Sequence, residues 1–443
     1  MKIIIAGAGD VGSHLAKLLT HEKEDILVID ENTDKLNTLD ANYNLMTLEG
    51  CPTSFKTLRE ARAGDCDLFI AVTPYQTDNI VACSIARNLG AKTTVARIDS
   101  YDMMAPENIG VVRAMGVDRL IYPEYVAAQE IITALRRAWV RNWFELHNGA
   151  LLVVGVKLRE GAPIVGMQLK EFAMVNHNFH VSAIKRNNET IIPFGNDYLL
   201  AGDILYVAAL PEHVDELREL TGKADRRIRK VMVMGGGKIT VRFAAMAGDE
   251  FRIKIIDIDP KVCHRLPEKC PDSEISIGDA RDIELLREEG IEDYDAFVAL
   301  TGSSEANILT CLTAKEMGVK KTVAEVENIQ YINQAEGLNI GTIINKKLLA
   351  SSSIFQLLLD ADSSTSKCLA LADAEVAELE VREGSKIAGK PVRELHLPSG
   401  MTLAGMVRDG RGMLIGGNTV IQPGDHVVVF TLSGSMHKIE KLF

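Results

Sequence analysis

The chain is an internal duplication in which related positions lie 228 residues apart, as Lys2 and Lys230 do. At each of these two lysines an apolar run begins and leads into a glycine turn. The same interval pairs identical residues further along the two halves: Gly50 with Gly278, Asp67 with Asp295, Ala71 with Ala299, Thr73 with Thr301, Asn79 with Asn307, Gly90 with Gly318 and Thr94 with Thr322. A repeat of this length has to be identified before a fold is assigned. We therefore expect two units of the same architecture.

Short apolar runs alternate with helical patterns in residues 2–120. The predicted strands are Ile3–Ala6, Ile26–Ile29, Leu45–Leu48, Leu68–Val72 and Thr94–Arg97. Two of the helices predicted between them are Gly12–Leu19 and Asn79–Asn88. This alternation predicts parallel β-α-β units. The strands lack a two-residue period, as expected when both faces of a sheet are covered.

A second kind of segment, β-rich and with Gly-Asp turns, follows each unit at residues 150–210 and 370–432. These segments match each other at an interval of 222 residues, as Arg186 and Arg408 do. A short helix is predicted to close each one, at Val214–Leu220 and Met436–Leu442.

The predicted fold class is therefore α/β, with two Rossmann-like parallel-sheet lobes alternating with two small β-rich α+β lobes. The boundaries that we predict are 1–140 for the first Rossmann-like lobe, 145–222 for the first small lobe, 228–360 for the second Rossmann-like lobe and 368–443 for the second small lobe. The stretch Arg141–Gly149 is predicted to be a connector.

Each Rossmann-like lobe ends in an amphipathic helix. The first begins at Pro123, a residue that suits the first helical position. The apolar stripes of the two helices are Ala128, Ile131, Ile132, Leu135 and Trp139, and Leu348, Ser352, Phe355 and Leu359. Two interpretations remain open: each helix covers its own sheet, or it packs against a neighbouring lobe or subunit.

Composition limits the function classes. The net charge is −12 and the isoelectric point about 5.4, so general binding to nucleic acid is not expected. No apolar run approaches the roughly 18 residues that a membrane span requires. The seven cysteines are scattered without a C-x-x-C pair, which predicts reduced thiols and no zinc knuckle.

The first glycine turn has the G-x-G-x-x-G pattern of a dinucleotide fingerprint, in Gly7, Ala8, Gly9, Asp10, Val11 and Gly12. It follows a predicted strand, precedes a helix, and has Asp30 at the end of the next strand. The first glycine permits the tight turn, the second lets the backbone approach a pyrophosphate, and the third lets helix and strand pack closely. Asp30 would accept ribose hydroxyls and repel a 2′-phosphate, which favours NAD(H) or an adenine nucleotide over NADP(H). The alternative is an empty Rossmann-like shell.

Two further strand ends complete the first candidate cleft. Arg97 ends the fifth strand at the carboxyl edge, where ligands bind in such sheets, and could meet a second phosphate. The competing interpretation is a surface ion pair. Thr73 and Pro74 follow the fourth strand and could lie near the adenosine or nicotinamide side.

The second turn, formed by Gly235, Gly236, Gly237, Lys238 and Ile239, departs from the pattern because Thr240 holds the place of the third glycine. Asp257 is the acid after the second strand, and Glu325 replaces Arg97. Lys238 could partly offset Glu325, and Asp279 could accept from an adenine amino group. Whether this second cleft binds a nucleotide stays open.

Catalysis would require a base or acid beside the cofactor. The ten histidines form neither a triad pattern nor an H-E-x-x-H metal site, so we predict no catalytic residue and no metal site. Three hypotheses follow: a nucleotide-sensing regulator, an NAD-dependent oxidoreductase with an unrecognised site, or an assembly protein with vestigial clefts.

The alternating four-lobe order, the motif Gly7–Gly12, Asp30, Arg97 and the segment Gly278–Ala280 resemble the TrkA family of peripheral subunits of Trk potassium-uptake systems. That family has two regulator-of-potassium-conductance (RCK) units in one chain. The resemblance covers essentially the whole sequence. It implies a regulator, not an enzyme, on the cytoplasmic face of a Trk-type membrane potassium-translocating subunit.

The resemblance also implies an assembly and a ligand. Family members form a homo-oligomeric ring, here a tetramer with eight Rossmann-like lobes, and bind NAD(H), in some cases ATP or ADP. The nucleotide contacts that it implies are Gly7–Val11, Asp30, Thr73, Pro74 and Arg97 in the first half and Gly235–Ile239, Asp257, Asp279 and Thr301 in the second.

Overall fold

The fold was analysed in a computed structural model that describes residues 1–20, 24–187, 189–224, 227–338, 340–361, 368–371, 374–398, 400–432 and 442–443. Apart from its last residue, the predicted helix Met436–Leu442 lies outside these ranges. Within them, no helix has the length and apolar character needed to cross a membrane.

The first half opens with a six-stranded parallel sheet in the order β3-β2-β1-β4-β5-β6. Its strands are β1 Lys2–Ala6, β2 Asp25–Asp30, β3 Met46–Glu49, β4 Leu68–Ala71, β5 Thr93–Arg97 and β6 Arg119–Ile121. Its helices are α1 Asp10–Leu19, α2 Thr33–Asn42, α3 Phe55–Glu60, α4 Gln76–Leu89, α5 Ile109–Ala114 and α6 Pro123–Arg136. The strand order reverses between β1 and β4, which is where ligands bind in such sheets.

A five-stranded antiparallel sheet follows, in the order β10-β9-β11-β8-β7. Its elements are β7 Asn142–Leu146, β8 Leu151–Lys157, α7 Leu169–Val175, β9 Phe179–Arg186, β10 Glu189–Ile191, β11 Ile204–Ala209 and α8 Val214–Leu220. Strand β7 lies inside the stretch Arg141–Gly149 that we predicted to be a connector. The stretch is short, but its backbone pairs with β8 along the edge of the small sheet.

The second half repeats both sheets. The parallel sheet has the order β14-β13-β12-β15-β16-β17 and the antiparallel sheet the order β18-β19-β22-β20-β21. The strands are β12 Lys230–Met234, β13 Arg252–Asp257, β14 Glu274–Ile277, β15 Ala296–Ala299, β16 Lys321–Glu325, β17 Thr342–Ile344, β18 Cys368–Leu371, β19 Ala374–Glu380, β20 Met401–Arg408, β21 Arg411–Leu414 and β22 His426–Leu432. The helices are α9 Lys238–Ala247, α10 Pro260–Lys269, α11 Ile283–Glu288, α12 Ser304–Glu316, α13 Ile329–Gly337 and α14 Lys346–Ala361. The predicted α/β class and tandem arrangement are thus confirmed.

Each small lobe contains an ion pair with a buried carboxylate, and this pair explains why an arginine recurs at the same place in both lobes. Arg186 bonds Asp203 through two nitrogens at 2.8 and 2.7 Å, and Arg408 bonds Asp425 at 2.7 and 2.7 Å. Both carboxylates are almost fully buried. Paired and hydrogen-bonded in this way, each arginine holds the Gly-Asp turn against its sheet.

The two long helices that end the Rossmann-like lobes cross to the opposite lobe. Helix α6 packs on α9, and α14 packs on α1 and on α6. Ile131 of α6 shares a buried core with Val231 and Val233 of β12, and Ile354 of α14 shares one with Ile5 of β1. Of the two interpretations left open by the sequence, the structure supports packing against a neighbouring lobe.

One residue of the predicted stripe behaves differently. Helix α6 ends at Arg136, so Trp139 falls beyond it and packs against the core of the first small lobe. The side chain of Leu359 lies outside the described part of the chain.

Lys321 is buried where the chain leaves α6 for the first small lobe. Its ammonium donates to the carbonyl oxygens of Val140 and Ala138 at 3.4 and 3.5 Å. Burial, followed by repulsion from the nearby cations Arg141 and Lys223, lowers the pKa of Lys321 to about 7. A buried cation among other cations costs free energy of folding at pH values where it stays protonated.

Stability is therefore expected to rise with pH between about 7 and 10.5, because the unfolded chain keeps the Lys321 proton up to a pKa of 10.5 and the folded protein releases it near 7. One such group contributes a slope of up to about 1.4 kcal/mol per pH unit. The variant Lys321→Met should show a flatter slope in urea unfolding at pH 7 and pH 9, whereas the exposed Lys56→Met should not. Equal slopes in the Lys321 variant and the wild type would contradict this assignment.

Candidate functional site

The first glycine turn has the backbone geometry that a dinucleotide fold requires. Gly7 has φ +113°, a region that favours glycine, and its amide donates to Ile29 O at 2.8 Å. A Cβ on Gly12 would lie 1.9 Å from Gly7 O, so only glycine lets α1 approach β1 this closely. A Cβ on Gly9 would meet nothing within 4 Å, which leaves open space at the start of the helix.

No side chain caps α1, whose N-cap residue is Gly9. The first amides of a helix need partners from outside it, and together with the helix dipole they attract anions. The open space at Gly9 therefore adjoins donors suited to a phosphate.

Asp30 ties the turn to the end of β2. Its Oδ2 accepts from the Ala8 amide at 2.6 Å and its Oδ1 from the Asn32 amide at 2.8 Å. A carboxylate can accept about four hydrogen bonds, so two further lone-pair positions remain for hydroxyl donors such as those of a ribose.

Asn79, which the sequence analysis placed among the repeated residues but not in the cleft, links two strand ends. Its Oδ1 accepts from the Thr73 amide and hydroxyl, both at 2.8 Å, and its Nδ2 donates to Arg97 O at 2.9 Å. The hydroxyl of Thr73 is therefore engaged in holding the loop that contains Pro74. Asn307 makes the same contacts with Thr301 and Glu325, so identity across the repeat was the signal for this role.

Arg97 lies at the carboxyl edge with its side chain half-buried. Its Nε is buried and has no hydrogen-bond partner among the described residues. An orphaned buried donor costs free energy unless a ligand or water meets it, and a guanidinium is suited to phosphate. The surface ion pair considered as an alternative is absent from the described part of the chain.

The second turn has nearly the same backbone angles as the first at its first and third residues. Gly235 has φ +103°, and Gly237 has φ −73° and ψ −175°, against −74° and −175° for Gly9. Thr240 does not disrupt the turn, because its hydroxyl donates to Gly235 O at 2.5 Å. Asp257 accepts from the Gly236 amide at 2.6 Å, as Asp30 does from Ala8.

The charge at the second cleft is nevertheless reversed. Glu325 is almost fully buried, and the Lys346 ammonium lies 3.2 Å from its Oε1. Burial raises the pKa of the Glu325 carboxyl, and Lys346 opposes that shift. Asp279 pairs with Arg281 through two nitrogens, and these bonds lower the pKa of Asp279.

Lys238 does not offset Glu325 as the sequence suggested. Its ammonium bonds Asp99 of the first lobe, at 3.2 Å from both the carboxylate and the main-chain oxygen. The equivalent position in the first turn is Asp10, which pairs at 2.6 Å with Lys347, a residue that also contacts Glu327 at 3.2 Å. Both turns therefore carry an ion pair to the opposite lobe, although their charges are opposite.

A cavity of about 540 Å³ lies beside the second of these ion pairs. Helix α12 and the loop after β16 form one wall, and the first turn and α14 contribute Asp10 and Lys347. Among the predicted cleft residues, Asp10 is the one that lines it. The carboxyl edge of one sheet thus faces the glycine turn of the other.

Taken together, the first cleft fits a dinucleotide. It combines open space and uncapped amides at Gly9, a carboxylate with free lone pairs at Asp30, and an unpartnered guanidinium nitrogen at Arg97. The second cleft has the first two features but a buried acid instead of the third.

Models of known protein families match both halves of the chain. The TrkA-N domain model matches residues 3–123 and 231–346, and the TrkA-C domain model matches residues 153–222 and 376–443. The Trk system potassium uptake protein TrkA of Halomonas elongata is 31% identical over 450 residues, covering 100% of this chain and 98% of that protein. The protein of the same description from Vibrio alginolyticus is 32% identical over 454 residues, with the same coverage.

Solved structures share the fold. The GsuK RCK domain aligns with a TM-score of 0.59 and 18% identity, covering 100% of this chain and 94% of that one. The GsuK channel bound to NAD aligns with a TM-score of 0.60 and 17% identity, covering 100% and 78%. At these identities the similarity concerns architecture.

Proposed function

The chain belongs to the TrkA family of Trk system potassium uptake proteins, and from that membership we propose that it is a cytoplasmic, nucleotide-sensing regulatory subunit of a membrane potassium transporter. The observation that carries the proposal is the match of TrkA-N and TrkA-C domains, in order and twice, along the whole chain. The expected partner is a Trk-type membrane subunit, with this protein bound at its inner face.

The proposed ligand is NAD(H), held in the first cleft. The amides at Gly9 would hold the pyrophosphate, Asp30 the ribose hydroxyls, and Arg97 a phosphate oxygen. A structural relative in complex with NAD and another in complex with ADP support a nucleotide in this fold, with ATP or ADP as alternatives to NAD(H). We expect the second cleft to bind the same ligand more weakly, because Glu325 would repel a phosphate that Arg97 attracts.

A ring of four chains would make gating feasible with modest affinities. Moving a two-state gate from 1:99 to 99:1 takes about 5.5 kcal/mol of differential binding. Four clefts that each prefer one state about tenfold would supply about 1.4 kcal/mol apiece. A ligand that binds both ring states equally would shift nothing, so the clefts must differ between the states.

The proposal is tested by titrating NADH, NAD and ATP against the purified protein and following its thermal unfolding. Potassium flux into vesicles that contain the membrane partner should then depend on the nucleotide that stabilises the protein. Binding without any effect on flux would disprove the gating role, and absence of binding would favour an assembly protein with vestigial clefts.

The oxidoreductase alternative makes a different prediction from the same fingerprint. It requires steady consumption of NADH with a small substrate, abolished by replacing one histidine or carboxylate. Measured turnover of this kind would replace the regulatory proposal.

Replacing Arg97 should weaken nucleotide binding without unfolding the protein. A hydrogen bond to a charged group is worth about 1.5–3 kcal/mol, so Arg97→Met is expected to weaken NADH binding roughly 10- to 100-fold in calorimetry. The matched variant Glu325→Gln, at the equivalent strand end of the other lobe, should leave the high-affinity site unchanged. An unaltered affinity in the Arg97 variant would remove this residue from the site.

A further inference from the structure

Two histidines and a glutamate converge between the two small lobes. His147 follows β7 of the first small lobe, whereas Glu378 lies on β19 and His426 begins β22 of the second. Glu378 Oε1 lies 3.0 Å from His147 Nδ1 and 3.3 Å from His426 Nδ1. The three ligand atoms all lie within 4.8 Å of one another, so a single ion could contact all three.

The glutamate is held in place from behind. Its side chain is only 8% exposed, and its Oε2 accepts from the His147 main-chain amide at 3.2 Å. This bond fixes the carboxylate and directs Oε1 toward the two imidazoles. Such hydrogen bonds to a ligating carboxylate orient it and tune its affinity for a metal.

The two separations from Glu378 Oε1 are close to those of a tetrahedral transition-metal site. Zinc bonds to imidazole nitrogen and carboxylate oxygen of about 2.0–2.2 Å place neighbouring ligand atoms roughly 3.3–3.6 Å apart. The two separations from Glu378 Oε1, 3.0 and 3.3 Å, are within about 0.3 Å of that range. The imidazoles are 31% and 35% exposed, which leaves the fourth position accessible to water.

The backbone at His147 is unusual for its residue type. His147 and Asn148 have φ +46° and +55°, in the left-handed region where residues other than glycine are uncommon. This conformation places the imidazole and the main-chain amide of one residue on the same carboxylate. Sparsely populated backbone conformations cluster at binding sites.

Exchanging the two small lobes, which are related by the duplication, does not produce a second cluster of this kind in the described residues. In the registers of β8 with β11 and of β19 with β22, Glu378 corresponds to Gly155 and His426 to Ile204. Neither Gly155 nor Ile204 can ligate a metal through its side chain. The ligands therefore do not follow from the duplication, and the site occurs once per chain in the described residues.

We propose that His147, Glu378 and His426 bind one divalent transition-metal ion, Zn²⁺ by the chemistry of the ligands, which clamps the two small lobes together. Two imidazoles and one carboxylate suit zinc, whereas magnesium and calcium prefer oxygen ligands. The inference stands independently of the nucleotide clefts.

The test uses the full-length protein stripped of metal with a chelator and titrated with Zn²⁺ in a calorimeter. We expect one high-affinity equivalent per chain and a Zn²⁺-dependent rise in melting temperature that excess Mg²⁺ does not reproduce. Glu378→Gln keeps the shape and the hydrogen-bond acceptor but removes the charge. It should weaken this equivalent by at least about 100-fold, since losing even an outer-shell partner of a metal site costs 10- to 100-fold.

Two further variants make the outcome unambiguous. His426→Gln should also abolish the high-affinity equivalent, whereas His264→Gln, an exposed histidine on α10, should leave it intact. If the Glu378 and His426 variants fold like the wild type and retain the same Zn²⁺ affinity, the proposal is overturned. Equal binding of Mg²⁺ would overturn the assignment to a transition metal.

Discussion

Gly9→Val is expected to abolish stabilisation of the protein by NADH while leaving its melting temperature without ligand unchanged. A side chain at this position would enter the open space in front of α1, where a Cβ meets no protein atom within 4 Å. The backbone there is extended, with φ −74° and ψ −175°, so valine fits it without strain. The substitution therefore fills only the space in which we propose that a pyrophosphate binds.

The size of the effect follows from linkage. NADH at about 100 times its dissociation constant stabilises the folded state by about 2.7 kcal/mol, and the variant should lose all of this. Differential scanning fluorimetry with and without NADH measures the loss directly.

Two matched variants control the experiment. Gly237→Val places the same side chain in the same conformation at the second turn, where a Cβ also meets nothing within 4 Å. It should leave the dominant NADH response intact if the first cleft is the site. Gly12→Val should instead destabilise the protein without ligand, because its Cβ would lie 1.9 Å from Gly7 O. A Gly9 variant that retains the full NADH response would refute the proposed position of the ligand.

Sequence patterns were sufficient to predict the fold class and the tandem arrangement. The α/β class and the glycine turns depend on residues close together in sequence, the tandem repeat depends on matches at a fixed interval, and the structure has all three. The identical residues at an interval of 228 also acquire reasons, as Asn79 and Asn307 hold equivalent strand ends. A duplicated chain reveals such roles because a residue whose contacts the fold requires is the same in both halves.

Contacts between lobes could not be predicted in this way. Lys238 appeared to compensate Glu325 within one lobe, yet it pairs with Asp99 of the other. Asp10 and Lys238 occupy equivalent positions but have opposite charges. The contacts between lobes explain this, because Asp10 pairs with a lysine and Lys238 with an aspartate of the opposite lobe. The residues of the proposed metal site were missed for the same reason, since His147 lies more than 200 residues from Glu378 in the sequence.

Helices α6 and α14 each pack against the opposite Rossmann-like lobe, and we call them the crossover helices. A mutation in one of them is therefore expected to destabilise the lobe opposite to the one that contains it in sequence. Ile131 belongs to the first half of the chain but is buried with Val231 and Val233 in the second Rossmann-like lobe. Ile131→Ala is expected to cost about 2–5 kcal/mol, the usual range for truncating a buried isoleucine. Most of that loss should weaken β12 rather than β1, because the cavity forms against β12.

The reciprocal variant is built into the duplication. Ile354→Ala removes an equally buried side chain from the core that contains Ile3 and Ile5, so it should weaken β1 instead. Native-state hydrogen exchange resolved by residue distinguishes the two, since amides in each strand report the opening of their own core. Gln129→Ala, on the exposed face of α6, controls for changes in the helix itself.

The pattern of exchange decides whether the two Rossmann-like lobes act as one unit. If each isoleucine variant increases exchange mainly in the opposite lobe, the crossover helices couple the stability of the two lobes. A ligand that stabilises one cleft would then change the affinity of the other cleft. If Ile131→Ala instead increases exchange in β1 and leaves β12 protected, α6 covers its own sheet in solution. That result would contradict the packing of α6 against the second Rossmann-like lobe. Because both cores would then be independent, the nucleotide response of one Rossmann-like lobe could reach the other only through the ion pairs at the turns.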